Sequence, residues 1–218
     1  MPNYIRNKLV MGSRVPEVLD FVKSGKSLFD FNKICPMPEG LDVEAGSIGE
    51  QGMEYLILTG TSSLSRKRAK EIKDRLVSMG YFDQALALGK QYLLNIANTG
   101  YSTWYEWCIA NWGTKWNASE PSISSENTIE FTTAWSGVTE LLESLSAKFP
   151  DVTFEYTFAD EDTGSNCGEG LIENGIATMY IPDNCSRECY ELTFKLWPDK
   201  REYYKLVDGK YEYQDEDE

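Results

Sequence analysis

The chain has 218 residues, of which 41% are hydrophobic and 13% aromatic, and its formal net charge at pH 7 is −14. This length allows a core without disulfides or metals, and the aromatic content excludes a disordered chain. Histidine is absent, which excludes Ser-His-Asp and Cys-His catalysis and histidine metal sites. The acidic charge disfavours direct binding to nucleic acid and favours solubility or a basic partner.

The sequence also indicates where the protein works. It contains neither a long apolar run nor the pattern of a signal peptide, so we expect no membrane segment. Five cysteines, an odd number dispersed along the chain, favour reduced thiols in a cytosol. We therefore expect a cytoplasmic protein.

The first third of the chain predicts a strand followed by a helix. Alternating apolar residues predict a strand over 3–11, and Pro16 begins a predicted helix over 15–23. We predict an extended segment over 28–34 and, because four glycines follow, a loop over 40–52.

The middle of the chain predicts three helices. Apolar residues three and four apart predict helices over 64–79 and 82–97, with Gly80 and Gly100 just past their ends. Thr103 and Glu106 have the spacing of a capping box, which predicts that a third helix starts there.

The last third predicts strands with one helix among them. Strict alternation predicts strands over 129–135 and 152–158, joined by a helix that Ser136 caps. This strand-helix-strand order predicts a βαβ unit. A turn or loop is predicted over 160–170. Further predictions are a hairpin over 171–181 with an Asn174-Gly175 turn, a strand over 190–196, and a hairpin over 203–213 around Asp208-Gly209.

These elements predict an α+β protein. We expect a ferredoxin-like, mostly antiparallel sheet with a helical insertion at about 60–120 and C-terminal hairpins. We expect a single domain over residues 1–214, followed by an acidic tail over 215–218.

The residues also resemble a known family, the YubB-like ferredoxin-fold family of plasmid, pathogenicity-island and phage accessory proteins. The most specific segment is Asn111-Trp112-Gly113-Thr114-Lys115-Trp116-Asn117-Ala118. Others are Pro2-Asn3-Tyr4 with Asn7 and Leu9, Phe31-Asn32-Lys33-Ile34, Pro36-Met37-Pro38, Trp107, and Phe131-Thr132-Thr133-Ala134-Trp135-Ser136. The resemblance implies an accessory protein of a mobile element in a bacterial cytoplasm, and it supplies no catalytic residues.

The segment 111–117 is the first candidate binding site. The indoles of Trp112 and Trp116 are suited to stack on a base, Lys115 to meet a phosphate, and Asn117 to pair with a base edge. Together these residues predict a small-nucleotide pocket. The alternative is that both tryptophans belong to the core.

The second candidate is a basic helix. Six basic residues fall within residues 66–75, and Arg66, Lys70 and Lys73 share one face. This face suits a phosphate or an acidic patch on a partner. The alternative is a solvated face whose charges pair with nearby acids.

Two weaker candidates concern metals. The acidic stretch 160–162 lacks the glycine and the glutamate that a calcium loop needs at its sixth and twelfth positions. Cys167, Cys185 and Cys189 supply three thiols for zinc, but no histidine completes the set. We therefore expect no metal and no cofactor.

Three functions remain in consideration. We favour a non-enzymatic protein that binds and inhibits a host protein, such as a component of anti-phage defence or of nucleic-acid handling. The alternative is a small-ligand binder that sequesters a nucleotide or a nucleotide signal. A carboxylate- and metal-dependent enzyme is the third.

Overall fold

The computed structural model describes residues 2–25, 27–59 and 63–214. The chain divides into two compact units: the first combines residues up to Pro36 with those from Ile109 onward, and the second spans Met37–Cys108. The second unit begins before the predicted start of the helical insertion near residue 60. The single domain over 1–214 stays a prediction, and the acidic tail over 215–218 lies outside the described residues.

Strands and helices are both well represented. The described residues form eight strands: β1 (Tyr4–Met11), β2 (Ser119–Ser125), β3 (Thr128–Ala134), β4 (Phe154–Asp160), β5 (Cys167–Glu173), β6 (Ile176–Tyr180), β7 (Tyr204–Val207) and β8 (Lys210–Tyr213). They also form eight α-helices: α1 (Val15–Val22), α2 (Phe31–Ile34), α3 (Ser47–Leu58), α4 (Ser63–Met79), α5 (Phe82–Thr99), α6 (Trp104–Trp112), α7 (Thr139–Lys148) and α8 (Arg187–Leu196). None of these helices is long and apolar enough to cross a membrane.

The first unit is built on a six-stranded sheet. Its strand order is β2-β3-β1-β4-β5-β6, and neighbouring strands are antiparallel. Because β3 and β4 both run antiparallel to β1, they are parallel to each other, and α7 connects them across β1. The α+β class and the mostly antiparallel sheet predicted from the sequence are confirmed.

One face of this sheet carries the core. The side chains of Ile5, Asn7 and Leu9 on β1 are buried there, as alternation along a strand requires. The Asn7 amide accepts a 2.6 Å hydrogen bond from the Tyr156 hydroxyl, which itself accepts one from the backbone N–H of Val138, the residue before α7. Buried polar groups are thus paired, and they connect the central strand to the start of the helix.

The opposite face is only partly covered. Helix α8 lies over β4 and β5, where Cys189, Leu192 and Leu196 pack against Ala159 and Cys167. The part of this face formed by β1, β3 and β2 presents Arg6, Lys8, Glu130 and Thr132. We call that part the groove face.

The second unit consists of helices that approach closely at glycines. A Cβ atom on Gly52 would lie 1.7 Å from the Ala85 carbonyl oxygen, and one on Gly89 would lie 2.4 Å from the Gly52 carbonyl carbon. Glycine is therefore required where α3 crosses α5. The loop predicted over 40–52 is confirmed over 42–46 but wrong from Ser47, where α3 begins and where Gly49 and Gly52 serve helix packing.

Three further predictions of local structure were wrong in whole or in part. The segment predicted as extended contains α2, because the Asp30 carboxylate caps it by accepting from the Asn32 N–H at 3.0 Å. The strand predicted over 190–196 is α8, which Ser186 caps through a 3.2 Å bond from the Cys189 N–H. The loop predicted over 160–170 is confirmed between β4 and β5, but β5 already begins at Cys167.

Ser136 does not cap the helix that follows it. Its hydroxyl donates to the Gly113 carbonyl, and α7 begins at Thr139 without a side-chain cap.

The predicted helices of the middle segment are confirmed as α4, α5 and α6. At the start of α6, the Glu106 carboxylate accepts from the Thr103 N–H at 3.2 Å, as the capping box requires. The hairpin turns are also confirmed: Asn174-Gly175 and Asp208-Gly209 all have positive φ, between 46° and 83°.

Candidate functional site

The groove face holds a candidate binding site. Two adjoining cavities, of about 380 Å³ and about 370 Å³, share Arg6, Glu120 and Thr132 in their linings. The first extends toward Lys195 and the second toward Trp197. Together they form a polar groove between the end of α8 and the strands β1, β3 and β2.

Arg6 is the fixed cation of this groove. Its neighbours in β1 point into the core, so alternation directs Arg6 to the groove face. Its Nη1 donates to the Leu196 carbonyl oxygen at 2.8 Å, and its guanidinium lies 3.9 Å from the centre of the Trp197 ring. Trp197 is held in turn by a 3.0 Å bond from its Nε1 to the Ala159 carbonyl oxygen. The position of the charge is therefore set by the structure before any partner arrives.

Three carboxylates give the groove its acidic character. Glu161 accepts a 2.9 Å bond from the Tyr4 N–H, and Glu130 accepts one of 2.9 Å from the Ser124 hydroxyl. Glu120, on β2, is exposed. Within the described part of the chain, none of the three glutamates forms an ion pair within 4.0 Å.

The cations of the groove are already engaged. Lys195 forms a 2.8 Å ion pair with Glu169, and Arg6 is held against Trp197. Lys8 is opposite Glu130 in the β1–β3 register but lines neither cavity. The charges left for a partner are therefore mainly negative.

The structure separates the residues predicted for the nucleotide pocket. Trp112 is only 4% exposed, donates from Nε1 to the Cys35 carbonyl oxygen at 2.8 Å, and meets the Phe31 ring edge-on. Asn117 accepts from the Phe31 N–H at 2.8 Å and donates to Asp30 Oδ1 at 2.7 Å. Both residues serve the core of the first unit. The alternative interpretation, that both tryptophans belong to the core, therefore holds for Trp112 but not for Trp116.

Lys115 and Trp116 lie at the surface beside Trp135, which the sequence did not predict as a binding residue. The Lys115 Nζ is 4.2 Å from the Trp116 ring centre and 5.1 Å from that of Trp135. The two indoles are 42% and 43% exposed. This aromatic patch is separate from the groove, since none of its three residues lines either cavity.

The basic helix is α4, in the second unit. Arg66, Lys70 and Lys73 are all exposed. Lys70 pairs with Asp74 at 3.1 Å, and the Lys73 Nζ lies 5.4 Å from the Phe82 ring centre. On another face of α4, Arg68 pairs with Glu54 at 3.0 Å, and this carboxylate raises the pKa of the guanidinium. These contacts match the alternative of a solvated face paired with nearby acids.

The metal candidates gain no geometric support. Among residues 2–25, 27–59 and 63–214, no three Cys, Asp or Glu side chains meet in a way that holds a metal. Cys167 and Cys189 do meet, but Cys185 lies at the surface.

The sequence pattern does not predict the groove, and the reason is physical. The polar positions of β1 and β3 are visible in the alternation, but β2 carries serines, Pro121 and two register irregularities, so its sequence has no strand pattern. Without β2 there is no wall for a groove. Trp197 and Arg6 are 191 positions apart, and no local pattern links them.

The comparison with known proteins agrees with the topology. Residues 111–196 match the family model described as the ferredoxin-like domain in Api92-like protein. The chain therefore contains a ferredoxin-like domain, and β1 supplies the strand between β3 and β4 of its sheet. The predicted ferredoxin-like fold is thereby confirmed, while the YubB-like label stays a prediction.

The chain is also similar to a solved structure, that of protein Api92 from Yersinia pseudotuberculosis. The similarity covers 84% of this chain and 99% of that one, at 11% identity and a TM-score of 0.35. No curated protein matches this chain.

Proposed function

We propose that the protein binds and inhibits a protein of its bacterial host by contact at the groove, and that it does so without catalysis. The observation that carries this proposal is a preformed groove in which Arg6 is fixed while Glu120, Glu130 and Glu161 lack basic partners. The resemblance to YubB-like accessory proteins supports a mobile-element setting. In such a setting, a component of anti-phage defence or of nucleic-acid handling is the expected target.

The charges of the groove favour a basic segment of the partner. Carboxylates without a basic partner can each accept a charge-assisted hydrogen bond from lysine or arginine. The net charge of −14 adds long-range attraction that accelerates encounter with a basic surface. The fixed Trp197–Arg6 pair adds a rigid aromatic and arginine contact, the residue types that dominate binding energy at interfaces.

The test begins by capturing the partner at the groove. A photoreactive phenylalanine analogue replaces Ser122, which lines the groove, or Ser144, which is exposed on α7. After irradiation in the bacterial host, we expect a protein to cross-link through position 122 and not through position 144. Mass spectrometry identifies it.

Affinity then decides whether the groove is the site. The purified partner is titrated with the full chain and with the triple variant Glu120→Gln, Glu130→Gln and Glu161→Gln. We expect the variant to bind at least about tenfold more weakly, a loss of about 1.4 kcal/mol or more. A variant with the same change of charge elsewhere, Glu126→Gln, Glu140→Gln and Asp183→Asn, is the matched control. Equal weakening by both variants would mean that binding depends on net charge and not on the groove, and it would overturn the proposal.

A second function is favoured by the aromatic patch of Trp116, Lys115 and Trp135. Two half-exposed indoles beside an ammonium suit a nucleotide, whose base stacks on an indole while its phosphate meets the lysine. A nucleotide that binds the folded protein raises its melting temperature with concentration. We expect such a rise to disappear in Trp116→Ala. A flat response of the wild-type chain across a nucleotide panel would remove this second candidate.

A further inference from the structure

Two buried cysteines approach each other between the sheet and α8. Cys167 lies at the start of β5 and Cys189 near the start of α8, and they are 1% and 0% exposed. Their Sγ atoms are 2.8 Å apart. Both thiols belong to the apolar cluster with Ala159, Leu192 and Leu196. No role described above uses this pair.

We propose that Cys167 and Cys189 form a modification site, at which a peroxide converts the two thiols reversibly into a disulfide that joins β5 to α8. A disulfide bond is about 2.05 Å long, so each sulfur has to move only a fraction of an ångström. The backbones are already brought together, because β5 pairs with β4 and α8 packs on both strands. Formation of the bond therefore needs no rearrangement of the fold.

The surroundings make Cys189 the attacking sulfur. It is the third residue of α8, after the cap Ser186, and thiols at a helix N-terminus ionise more readily. A hydrogen bond from the Cys167 thiol lowers the pKa of Cys189 further, and the same bond raises the pKa of Cys167. Of the two sulfurs, Cys189 therefore ionises more readily, and Cys167 keeps its proton.

The chemistry balances with hydrogen peroxide as the oxidant. The Cys189 thiolate attacks one peroxide oxygen, so that an S–O bond forms, the O–O bond breaks and hydroxide leaves. Cys167 then attacks the sulfur of the Cys189 sulfenic acid; the S–S bond forms, the S–O bond breaks, and the Cys167 proton leaves with the hydroxyl as water. Two thiols lose two electrons, and one peroxide becomes two waters, because the hydroxide that leaves takes up the proton that Cys189 released to solvent on ionising. Because both sulfurs are buried, a small oxidant such as hydrogen peroxide reaches them when the packing opens locally, whereas a bulky oxidant such as glutathione disulfide is excluded.

The direct test is a peptide map of the oxidised wild-type chain. The reduced full-length protein is treated with hydrogen peroxide, alkylated, and digested without reductant. We expect the intact protein to lose the mass of two hydrogen atoms, with one cross-linked peptide that joins Cys167 to Cys189 and disappears with dithiothreitol. A map in which Cys167 and Cys189 stay alkylated while the exposed Cys185 is oxidised would overturn the proposal, as would a Cys185–Cys189 bond.

Two comparisons show whether the folded geometry is responsible. Cys185→Ser should form the same cross-link, whereas Cys167→Ser should form none; a cross-link that depends on Cys185 would contradict direct reaction of the pair. In urea that unfolds the chain, we expect the cross-link to form at least tenfold more slowly than in buffer. Equal rates would mean that the fold does not bring the thiols together. Because these measurements use the wild-type chain and Cys185→Ser, they stand even if Cys167→Ser fails to fold.

Discussion

Asn117 illustrates how one polar side chain can determine local structure. Its carbonyl oxygen accepts from the N–H groups of Phe31 and Ala118, at 2.8 and 2.9 Å, and its amide donates to Asp30. It thereby fixes the first turn of α2 against the chain that follows α6. An asparagine that the sequence suggested for base recognition is thus used for the fold.

The same contacts predict an acid-sensitive stability. Partial burial alone would raise the pKa of Asp30, but hydrogen bonds from the Asn117 side chain and the Asn32 backbone outweigh it and hold the pKa below the ordinary value of 3.8. A carboxyl with a lowered native pKa stabilises fully above its unfolded pKa and loses this contribution as the pH falls through the native pKa. We expect urea midpoints to fall more steeply below about pH 4 for the wild type than for Asp30→Asn.

Asp183→Asn is the control for that experiment, since Asp183 is exposed. It should follow the wild-type curve. If Asp30→Asn follows it as well, the hydrogen bonds of Asp30 do not stabilise the folded state.

The two tryptophans show what residue spacing could and could not predict. Trp112 and Trp116 are four apart, but α6 ends at Trp112 and Gly113 adopts φ +76°. Helical spacing no longer applies beyond that glycine, so the indoles diverge, one into the core and one to the surface. The exposed partner of Lys115, Trp135, comes from the end of β3, and only tertiary structure brings it there.

At the scale of elements, the crossing of α3 and α5 depends on glycine. Alanine is favoured over glycine in a helix by about 1 kcal/mol, so a local view predicts that Gly89→Ala stabilises α5. The crossing predicts the reverse, because a Cβ on Gly89 would lie 2.4 Å from the Met53 backbone nitrogen. Backbone cannot rotate away as a side chain can.

We therefore expect Gly89→Ala to lower the free energy of unfolding by about 1–3 kcal/mol, the usual cost of overpacking. Urea denaturation followed by circular dichroism measures it. Gly25→Ala is the matched control, because a Cβ there meets nothing within 4 Å. A stabilised Gly89→Ala would mean that the helices are farther apart than described.

Helix α8 shows why alternation can mislead. Tyr190, Leu192, Phe194 and Leu196 alternate as in a strand, yet Cys189, Leu192, Thr193 and Leu196 are buried at helical spacing. The remaining aromatics are covered as well, since Tyr190 and Phe194 contact Tyr204 and Tyr211 of the β7–β8 hairpin. A segment that is apolar on two sides fits both the alternation of a strand and the spacing of a helix. The Ser186 cap then favours the helix.

At the scale of the whole molecule, the net charge of −14 opposes compaction. Repulsion among exposed carboxylates is screened by salt, and the Debye length falls from about 30 Å at 0.01 M to about 10 Å at 0.1 M. The exposed ion pairs that salt also weakens are worth little. Screening should therefore stabilise the folded state.

We expect the melting temperature to rise between about 0.01 M and about 0.1 M NaCl, the range over which screening becomes short-ranged. Choline chloride at equal ionic strength should give the same rise, which separates screening from a bound sodium ion. A melting temperature that falls with salt would show that attractive pairs outweigh repulsion.

The sequence by itself determined the fold class, the strands with strict alternation, the helices with clear stripes, and both glycine turns. Those features arise from interactions between residues a few positions apart, where periodicity and backbone freedom decide the outcome. Tertiary structure alone decided the place of β2, the helical state of α8, the fate of each tryptophan and the groove itself. These depend on contacts between residues distant in the chain, such as Arg6 with Trp197, and burial against a partner outweighs local preference there.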